Sequence, residues 1–128
     1  MGEYRGQGEK ILVIDDSEEQ REIASAILND MGYQVATVDS GEAGVERLKQ
    51  EPFDLLLLDM ILGPGIDGLD TYRQILAHRP GQKAIIASGF SETERVAEAL
   101  RLGASQYLKK PYTIAELGVA IRHDLESN

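Results

Sequence analysis

Short apolar runs alternate five times with amphipathic segments along the chain. The runs lie at residues 11–14, 35–38, 55–58, 84–87 and 106–108, and each is bounded by polar or turn-forming residues. Short apolar runs with such boundaries are typical of β-strands. Residues 55–58 are leucine at every position, as expected for a central parallel strand covered on both faces. The pattern therefore predicts five strands, each followed by a helix.

The predicted helices begin at capping residues and carry apolar positions at helical spacing. Capping boxes occur at Ser17–Gln20, Ser91–Glu94 and Thr113–Glu116, Ser40 precedes the second helix, and Asp67-Gly68 leads into the third. A glycine, Gly32, is expected to end the first helix. The positions predicted to face the core are Ile23, Ala24, Ile27, Leu28, Met31, Ala43, Leu48, Leu69, Tyr72, Ile75, Leu76, Val96, Ala97, Leu100, Leu117, Ala120, Ile121 and Leu125.

Alternation of strands and helices predicts an α/β fold: a doubly wound, three-layer sandwich around a parallel sheet, with right-handed crossovers. The chain has 128 residues, enough for one domain with a proper core. We expect the domain to span residues 10–126. Residues 1–9 are predicted to be a linker or residues added for expression, and residues 127–128 a short tail.

Polar residues stand at the predicted carboxyl ends of several strands. Asp15 and Asp16 follow the first strand, Asp59 the third, Ser88 the fourth, and Lys110 the fifth. Ligands of such sheets bind beyond these strand ends. Carboxylates gathered there repel one another and lose hydration, so they need a cation. Oxygen ligands of this kind suit Mg²⁺, and the pattern predicts phosphate chemistry.

Composition excludes several other classes of protein. The net charge of −9 argues against a nucleic-acid surface, which needs clustered Lys and Arg. The absence of cysteine excludes a disulfide framework, a thiolate metal site and a cysteine nucleophile. The sequence has no apolar run long enough to span a membrane and no secretory signal. We therefore expect a cytoplasmic protein that contacts neither nucleic acid nor membrane directly.

The residues at the strand ends resemble the receiver domain of two-component response regulators, the CheY-like superfamily. Asp15-Asp16, Asp59, Ser88 and Lys110-Pro111 fall in that family's order and approximate spacing, together with Tyr107. The resemblance covers residue 10 to about residue 126. It implies a flavodoxin-like (βα)5 fold with strand order 2-1-3-4-5. It also implies a role in a bacterial His–Asp phosphorelay.

In the family, the counterpart of Asp59 accepts a phosphoryl group from a phosphohistidine of a kinase or a phosphotransfer domain. The resemblance implies that Mg²⁺, or Mn²⁺ in its place, is held by Asp16, Asp59 and the backbone carbonyl of Met60. Asp15 is expected to hold a metal-bound water. The domain would catalyse only its own phosphorylation and dephosphorylation.

The other matching residues imply a switch. Lys110 is expected to pair with Asp59 and then with the phosphoryl group, to which Ser88 donates a hydrogen bond. Movement of Ser88 would let Tyr107 swing inward and change the face formed by the fourth helix, fifth strand and fifth helix. The family resemblance also implies a cis peptide bond at Lys110–Pro111.

Two apolar residues flank the predicted site. Ile61 and Phe90 each lie two residues beyond a site residue, and neither can orient or deprotonate a water. We therefore expect slow self-dephosphorylation. The Pro and Asp-Gly that follow the phosphoacceptor in the family arrive one residue later here, so the loop at residues 61–65 is predicted to be longer by one.

Each candidate also has a structural explanation. Asp15 and Asp16 could cap the first helix, because Asp is favoured at that position. Ser88 could cap the following turn, and Lys110 could be a solvated lysine. Tyr107 could be a half-buried aromatic residue whose hydroxyl reaches water.

Three other functions would require a different set of residues. A haloacid-dehalogenase-type phosphatase would need Asp-x-Asp after the first strand, where this chain has Ser17 two residues after Asp15. A flavodoxin-like cofactor module would need a Ser/Thr/Gly-rich loop there instead of two carboxylates. A pseudo-receiver that is never phosphorylated would not need the intact acidic triad.

The parent protein has two candidate forms. Residues 8–11 (GEKI), 64–72 (PGIDGLDTY) and 87–91 (ASGFS) resemble receivers at the C-terminus of hybrid sensor histidine kinases, which could be tethered to a membrane. The alternative is a stand-alone response regulator, since no room for an output domain follows the last predicted helix. The expected partners are a histidine kinase or phosphotransfer domain, and the expected state is a monomer or a weak phosphorylation-dependent dimer.

Overall fold

Five strands and five helices alternate strictly along the chain in the computed structural model, which describes residues 6–89 and 94–126. Each predicted strand is present, within one or two residues of its expected ends. The elements are β1 (Lys10–Ile14), α1 (Glu18–Asp30), β2 (Gln34–Val38), α2 (Gly41–Gln50), β3 (Leu55–Asp59), α3 (Gly68–His78), β4 (Ala84–Ser88), α4 (Glu94–Leu102), β5 (Gln106–Lys109) and α5 (Ile114–Glu126).

The strands form one parallel sheet in the order β2-β1-β3-β4-β5. This order confirms the predicted doubly wound, flavodoxin-like fold. Strand β3 lies at the centre of the sheet and is buried at every residue, which explains why its sequence carries leucine where a half-exposed strand would alternate. All five strands point the same way, so their carboxyl ends meet at one edge of the molecule.

Two hydrophobic layers cover the sheet. On one face the side chains of β1, β3 and β4 pack against α1 and α5 through residues such as Leu28 and Ile121. On the other face they pack against α2, α3 and α4 through Leu48, Tyr72 and Val96. The residues of each of these strands contribute alternately to the two layers, because successive side chains of a strand point to opposite faces.

Most of the predicted helix starts are confirmed by hydrogen bonds. Ser17 Oγ accepts from the Gln20 amide, and Ser40 Oγ accepts from the Ala43 amide. At α5 the box is reciprocal, since Thr113 N donates to Glu116 Oε1 at 2.8 Å and Glu116 N donates to Thr113 Oγ1 at 2.9 Å. The box predicted at Ser91 lies outside the described residues.

One predicted core position in α1 is wrong. Ile23 is 48% exposed, whereas Ala24, Leu28 and Met31 are buried. The buried stripe of α1 is narrower than the apolar pattern suggested, because Ala24, Leu28 and Met31 face the sheet, Ile27 packs at the edge of the same cluster, and Ile23 points away from it. Ile23 instead lines a surface groove, together with Ile27, Lys110, Gln20, Pro111 and Tyr112.

Residues ahead of β1 are hydrogen-bonded to the domain. The amides of Gly6 and Gly8 donate to the carbonyls of Met31 and Gly32, at 2.7 and 2.9 Å. The Glu9 carboxylate accepts from the Arg122 guanidinium at 2.8 Å. These contacts lie at the end of the sheet opposite the strand ends that carry the acidic residues. Among the described helices, none is long and apolar enough to cross a membrane.

Candidate functional site

The register of the sheet brings the predicted site residues to one edge. Ile14 of β1 pairs with Leu58 of β3, so the residues that follow them, Asp15 and Asp59, lie side by side. Asp59 in turn pairs with Ala87, and the next residue of β4 is Ser88. Three adjacent strands therefore end together, and their final side chains share one shallow surface.

Three carboxylates form the centre of this surface. Oxygens of Asp15, Asp16 and Asp59 all lie within 4.8 Å of one another. Asp15 and Asp59 are only 6% and 9% exposed, whereas Asp16 is exposed. Two buried carboxylates beside a third need a positive partner. Such a set of hard oxygen donors with one open side fits a small divalent cation such as Mg²⁺.

The side chain of Lys110 places a positive charge beside these carboxylates. Its Nζ donates to Asp15 Oδ2 at 2.9 Å and lies 3.8 Å from Asp59 Oδ2. The ammonium group therefore bridges the two buried carboxylates, with its stronger contact to Asp15. This geometry excludes the alternative in which Lys110 is simply solvated.

Asp59 has the perturbed acidity of a buried carboxyl. Burial raises its pKa to about 6, and the charges of Asp15 and Asp16 act in the same direction. Lys110 and the Ile61 amide, which donates to Asp59 Oδ1 at 3.3 Å, lower the pKa of Asp59 and offset part of this effect. Near neutral pH the group is mostly ionised, which is the state required of an oxygen nucleophile.

Asp15 is fixed by the start of α1. Its Oδ1 accepts from the Ser17 amide at 2.9 Å, and its backbone carbonyl accepts from Arg21 at 2.8 Å. The N-cap of α1 is Ser17. The alternative in which Asp15 or Asp16 caps this helix is therefore wrong, and both carboxylates remain directed at the strand edge.

The switch candidates lie along β4 and β5. Ser88 is buried, and its carbonyl accepts from the Lys110 amide at 2.7 Å. Tyr107 is half-buried in β5 and packs on the layer formed by α2, α3 and α4. The Lys110–Pro111 peptide bond is cis, as the resemblance implied. The roles of Ser88 and Tyr107 in switching stay predictions.

The flanking residue Ile61 lies beside Asp59, to which its amide donates, and its side chain is 53% exposed. Phe90 lies outside the described residues. The Met60 carbonyl accepts from the Gly68 amide at 3.0 Å, so its proposed contact with the metal would use the second lone pair of that oxygen.

The loop between β3 and α3 forms one wall of the site. The Gly63 amide donates to Asp16 Oδ2 at 3.4 Å, and the loop returns to the sheet where Gly68 packs on the backbone of Asp59 and Met60. A Cβ at Gly68 would lie 2.6 Å from the Asp59 carbonyl oxygen, so only glycine permits this approach. The position of Asp16 and the path of the loop are therefore linked.

Sequence reasoning missed two residues beside the site. Burial raises the pKa of Tyr112 to about 12, and the negative charges of Asp15 and Asp59 add to the effect. Arg21 was missed because its contact is to the Asp15 backbone. The position of Tyr112 directly after Lys110-Pro111 was an available signal, since the loop that holds Lys110 also holds its neighbours.

Comparison with known proteins identifies the family. The model of the response regulator receiver domain matches residues 11–122. Sporulation initiation phosphotransferase F of Bacillus subtilis is 31% identical over 114 residues, which cover 89% of this chain and 91% of that protein. A CheY-like receiver domain structure from Methanospirillum hungatei JF-1 superposes with a TM-score of 0.88 at 28% identity, covering 93% and 94% of the two chains.

Other relatives are longer than this chain. The transcriptional regulatory protein ZraR of Escherichia coli strain K12 is 35% identical over 115 residues, which are 90% of this chain but 26% of that protein. The chain thus spans about a quarter of the length of such relatives. Receiver domains bind Mg²⁺ through acidic residues and interact with histidine kinases or phosphotransfer proteins. On its fold, its acidic strand ends and these matches, the chain belongs to the response regulator receiver domain family.

Proposed function

We propose that Asp59 accepts a phosphoryl group from a phosphohistidine in a Mg²⁺-dependent reaction. The observation that carries the proposal is the surroundings of Asp59: a nearly buried carboxylate with two further carboxylates and one ammonium group at the same strand edge. No purely structural role explains three carboxylates gathered there, since their mutual repulsion destabilises the folded protein.

The chemistry requires one bond to form and one to break. An oxygen of Asp59 attacks phosphorus, the P–N bond to the donor histidine breaks, and the departing imidazole nitrogen takes up a proton. The product is an acyl phosphate. The position of Asp59, held at its Oδ1 by the Ile61 amide, leaves its other oxygen directed toward Lys110 and the open side.

Asp16, Asp59 and the Met60 carbonyl are the groups that we propose to hold Mg²⁺, with Asp15 bonded to a metal-bound water. When bound, the ion would neutralise the charge that develops on the phosphoryl oxygens. Lys110 can pair with the same oxygens as a flexible point charge. The contact of Lys110 with Asp15 is shorter than its contact with Asp59, and this supports the role. Lys110 can remain bound to Asp15 while Asp59 becomes bonded to phosphorus.

The proposed signal is a change in the β4–β5 side of the domain. Ser88 would donate to a phosphoryl oxygen only when that oxygen is present, and a switch requires this kind of differential contact. Tyr107 would then move inward and alter the surface formed by α4, β5 and α5. The burial of Ser88 directly after the residue paired with Asp59 supports the first step.

We also propose that the phosphorylated form is long-lived. Ile61 stands at the open side of the site and offers no group that could orient water. Polar substitution at Ile61 and Phe90 should shorten the half-life of the acyl phosphate. An unchanged half-life in the double variant would contradict the proposal.

The parent protein is a separate proposal. A hybrid sensor histidine kinase is supported by residues 8–11, 64–72 and 87–91 alone, whereas the relatives named above are a phosphotransferase and a transcriptional regulatory protein. A stand-alone response regulator is the second candidate. We propose a cytoplasmic location for the protein. Its partner would be a histidine kinase or a phosphotransfer domain, and it would be a monomer or a weak phosphorylation-dependent dimer.

Phosphoramidate is the sharpest donor for testing this function, because its P–N bond resembles that of phosphohistidine. Intact mass would be measured for the wild type and Asp59→Asn, with and without MgCl₂. We expect a gain of one phosphoryl mass only in the wild type with Mg²⁺. No gain in any sample would favour the pseudo-receiver, and an equal gain in Asp59→Asn would exclude Asp59 as the acceptor.

A further inference from the structure

The loop at residues 61–67 is hydrogen-bonded to the carboxylate of Glu42, a residue that is not among the predicted site residues. Glu42, in the first turn of α2, accepts at its Oε2 from the Ile66 amide at 3.0 Å. The backbone of Gly65 passes directly against the same carboxylate. A Cβ at Gly65 would lie 2.6 Å from Glu42 Oε2, and the positive φ of 105° also requires glycine there.

The same loop touches the metal-binding residues at three points, the first being the Ile61 amide, which donates to Asp59 Oδ1 at 3.3 Å. The Gly63 amide donates to Asp16 Oδ2 at 3.4 Å. At its far end, Gly68 donates to the Met60 carbonyl and packs on the Asp59 backbone. The loop therefore joins Glu42 to Asp16 on one side and to Asp59–Met60 on the other.

The loop has little else to hold it at its tip. Residues 63–65 are exposed, and on either side of them Leu62 and Ile66 pack into the layer covered by α2 and α3. Because the Gly-Pro-Gly tip of the loop is exposed, its conformation depends mainly on hydrogen bonds. At the tip, Glu42 accepts from the Ile66 amide and Asp16 accepts from the Gly63 amide. The two ends of the loop are held separately, by the bond from the Ile61 amide to Asp59 and by the pairing of Asp67 with Arg95.

We infer that Glu42 is a positioning residue for the metal-binding site, acting through the 61–67 loop on the orientation of Asp16. The inference rests on the proposed Mg²⁺-dependent function. Groups that orient a metal ligand contribute to metal affinity although they do not touch the ion. Glu42 acts one step further away, through the backbone of residues 63–66.

The test compares three variants with the wild type in their Mg²⁺ dissociation constants, measured by calorimetric titration with MgCl₂. Glu42→Ala removes the acceptor, and Glu42→Gln keeps an acceptor oxygen while removing the charge. Glu46→Ala is the matched control: Glu46 lies one turn further along α2, is exposed, and pairs with Lys49 at 3.9 Å.

We expect Glu42→Ala to weaken Mg²⁺ binding about threefold to tenfold, less than the loss typical of groups bonded directly to a metal ligand. The Mg²⁺ dissociation constants of Glu42→Gln and Glu46→Ala should stay within about twofold of the wild-type value. Glu42→Gln keeps an acceptor for the Ile66 amide, and Glu46 makes no hydrogen bond to the described residues of the loop. Amide hydrogen exchange of metal-free Glu42→Ala should be faster at Gly63 and Ile66, with the strand amides unchanged.

Several results would overturn the inference. Equal Mg²⁺ affinity of Glu42→Ala and the wild type would show that the loop does not depend on Glu42. Equal weakening in Glu42→Gln, or in Glu46→Ala, would show an effect of charge instead of positioning. In these cases the wild type still binds Mg²⁺, so the proposed function stands. A wild type that binds no Mg²⁺ would refute both together.

Discussion

Replacing Asp59 by Asn should make the metal-free protein more stable at neutral pH. Asp59 is nearly buried, and the ionised carboxylate lies beside Asp15 and Asp16 with Lys110 at 3.8 Å. Asn has almost the same shape and carries no charge. Lys110 keeps its 2.9 Å contact with Asp15 in this variant, so the substitution leaves no cation without a partner.

The magnitude follows from the pKa of Asp59, which burial raises from 3.8 to about 6. The folded protein therefore holds this proton more tightly than the unfolded chain does. Stability conferred by the protonated carboxyl is present below pH 4 and is lost as the pH rises through 6. At about 1.4 kcal/mol per pKa unit, the loss is about 3 kcal/mol at pH 7.5, which is the largest advantage expected for Asp59→Asn.

Urea unfolding followed by circular dichroism measures this directly. We expect the advantage of Asp59→Asn to shrink by about 2 kcal/mol between pH 7.5 and pH 4.5, and to shrink at pH 7.5 when Mg²⁺ is added. Asp30→Asn, at an exposed position of α1, is the control for the loss of one negative charge. An advantage that does not change with pH, or a variant less stable than the wild type at pH 7.5, would refute the reasoning.

Three further substitutions test the framework around the site. Lys110→Ala should destabilise the metal-free protein by about 2 kcal/mol at pH 7.5, because it leaves two nearly buried carboxylates without their cation; added Mg²⁺ should reduce the loss in urea unfolding. Gly68→Ala should cost about 2 kcal/mol or more and lower phosphoryl uptake, since its Cβ would meet the Asp59 and Met60 backbone; thermal unfolding without such a loss would contradict the packing. Asp67→Ala should cost about 1–2 kcal/mol, because Asp67 caps α3 and binds Arg95; Asp67→Asn, which keeps the cap, should cost less in the same thermal assay.

The strands could be predicted because the local signals in the sequence agree with one another, whereas their order was implied by the family resemblance. The apolar runs are short and bounded, the helices carry their own caps, and the leucine run of β3 marks the centre of the sheet. In a parallel sheet all five strands end at one edge, and the observed register brings Asp15, Asp59 and Ser88 together there. For this reason the carboxylate cluster was predictable from sequence alone.

What the sequence could not predict depends on contacts between distant elements. Ile23 has the apolar character of a core residue, and only the orientation of α1 on the sheet shows that it faces a groove. Glu42 looks like an ordinary first-turn acid of α2. Its contact with Ile66 exists because the 61–67 loop folds back over α2, and no local signal reports that path.

Residues 6–9, ahead of β1, also make contacts that the sequence did not predict. Their polar, glycine-rich composition favours a linker, and the boundary at residue 10 stays a prediction. In the structure Gly6 packs against the Tyr33 ring so closely that a Cβ would lie 2.5 Å from it. Glu9 pairs with Arg122 of α5. Such contacts are made by the folded domain and cannot be seen in composition.

The central claim is that Asp59 carries the phosphoryl group, and locating the modified residue tests it most directly. Wild-type protein would be treated with acetyl phosphate and Mg²⁺, and the acyl phosphate would be reduced with borohydride, which converts a phosphorylated aspartate to homoserine. Peptide mass spectrometry should then find homoserine at position 59, with aspartate intact at positions 15 and 16. Homoserine at either of those positions, or an unmodified Asp59 in protein that has gained a phosphoryl mass, would contradict the account.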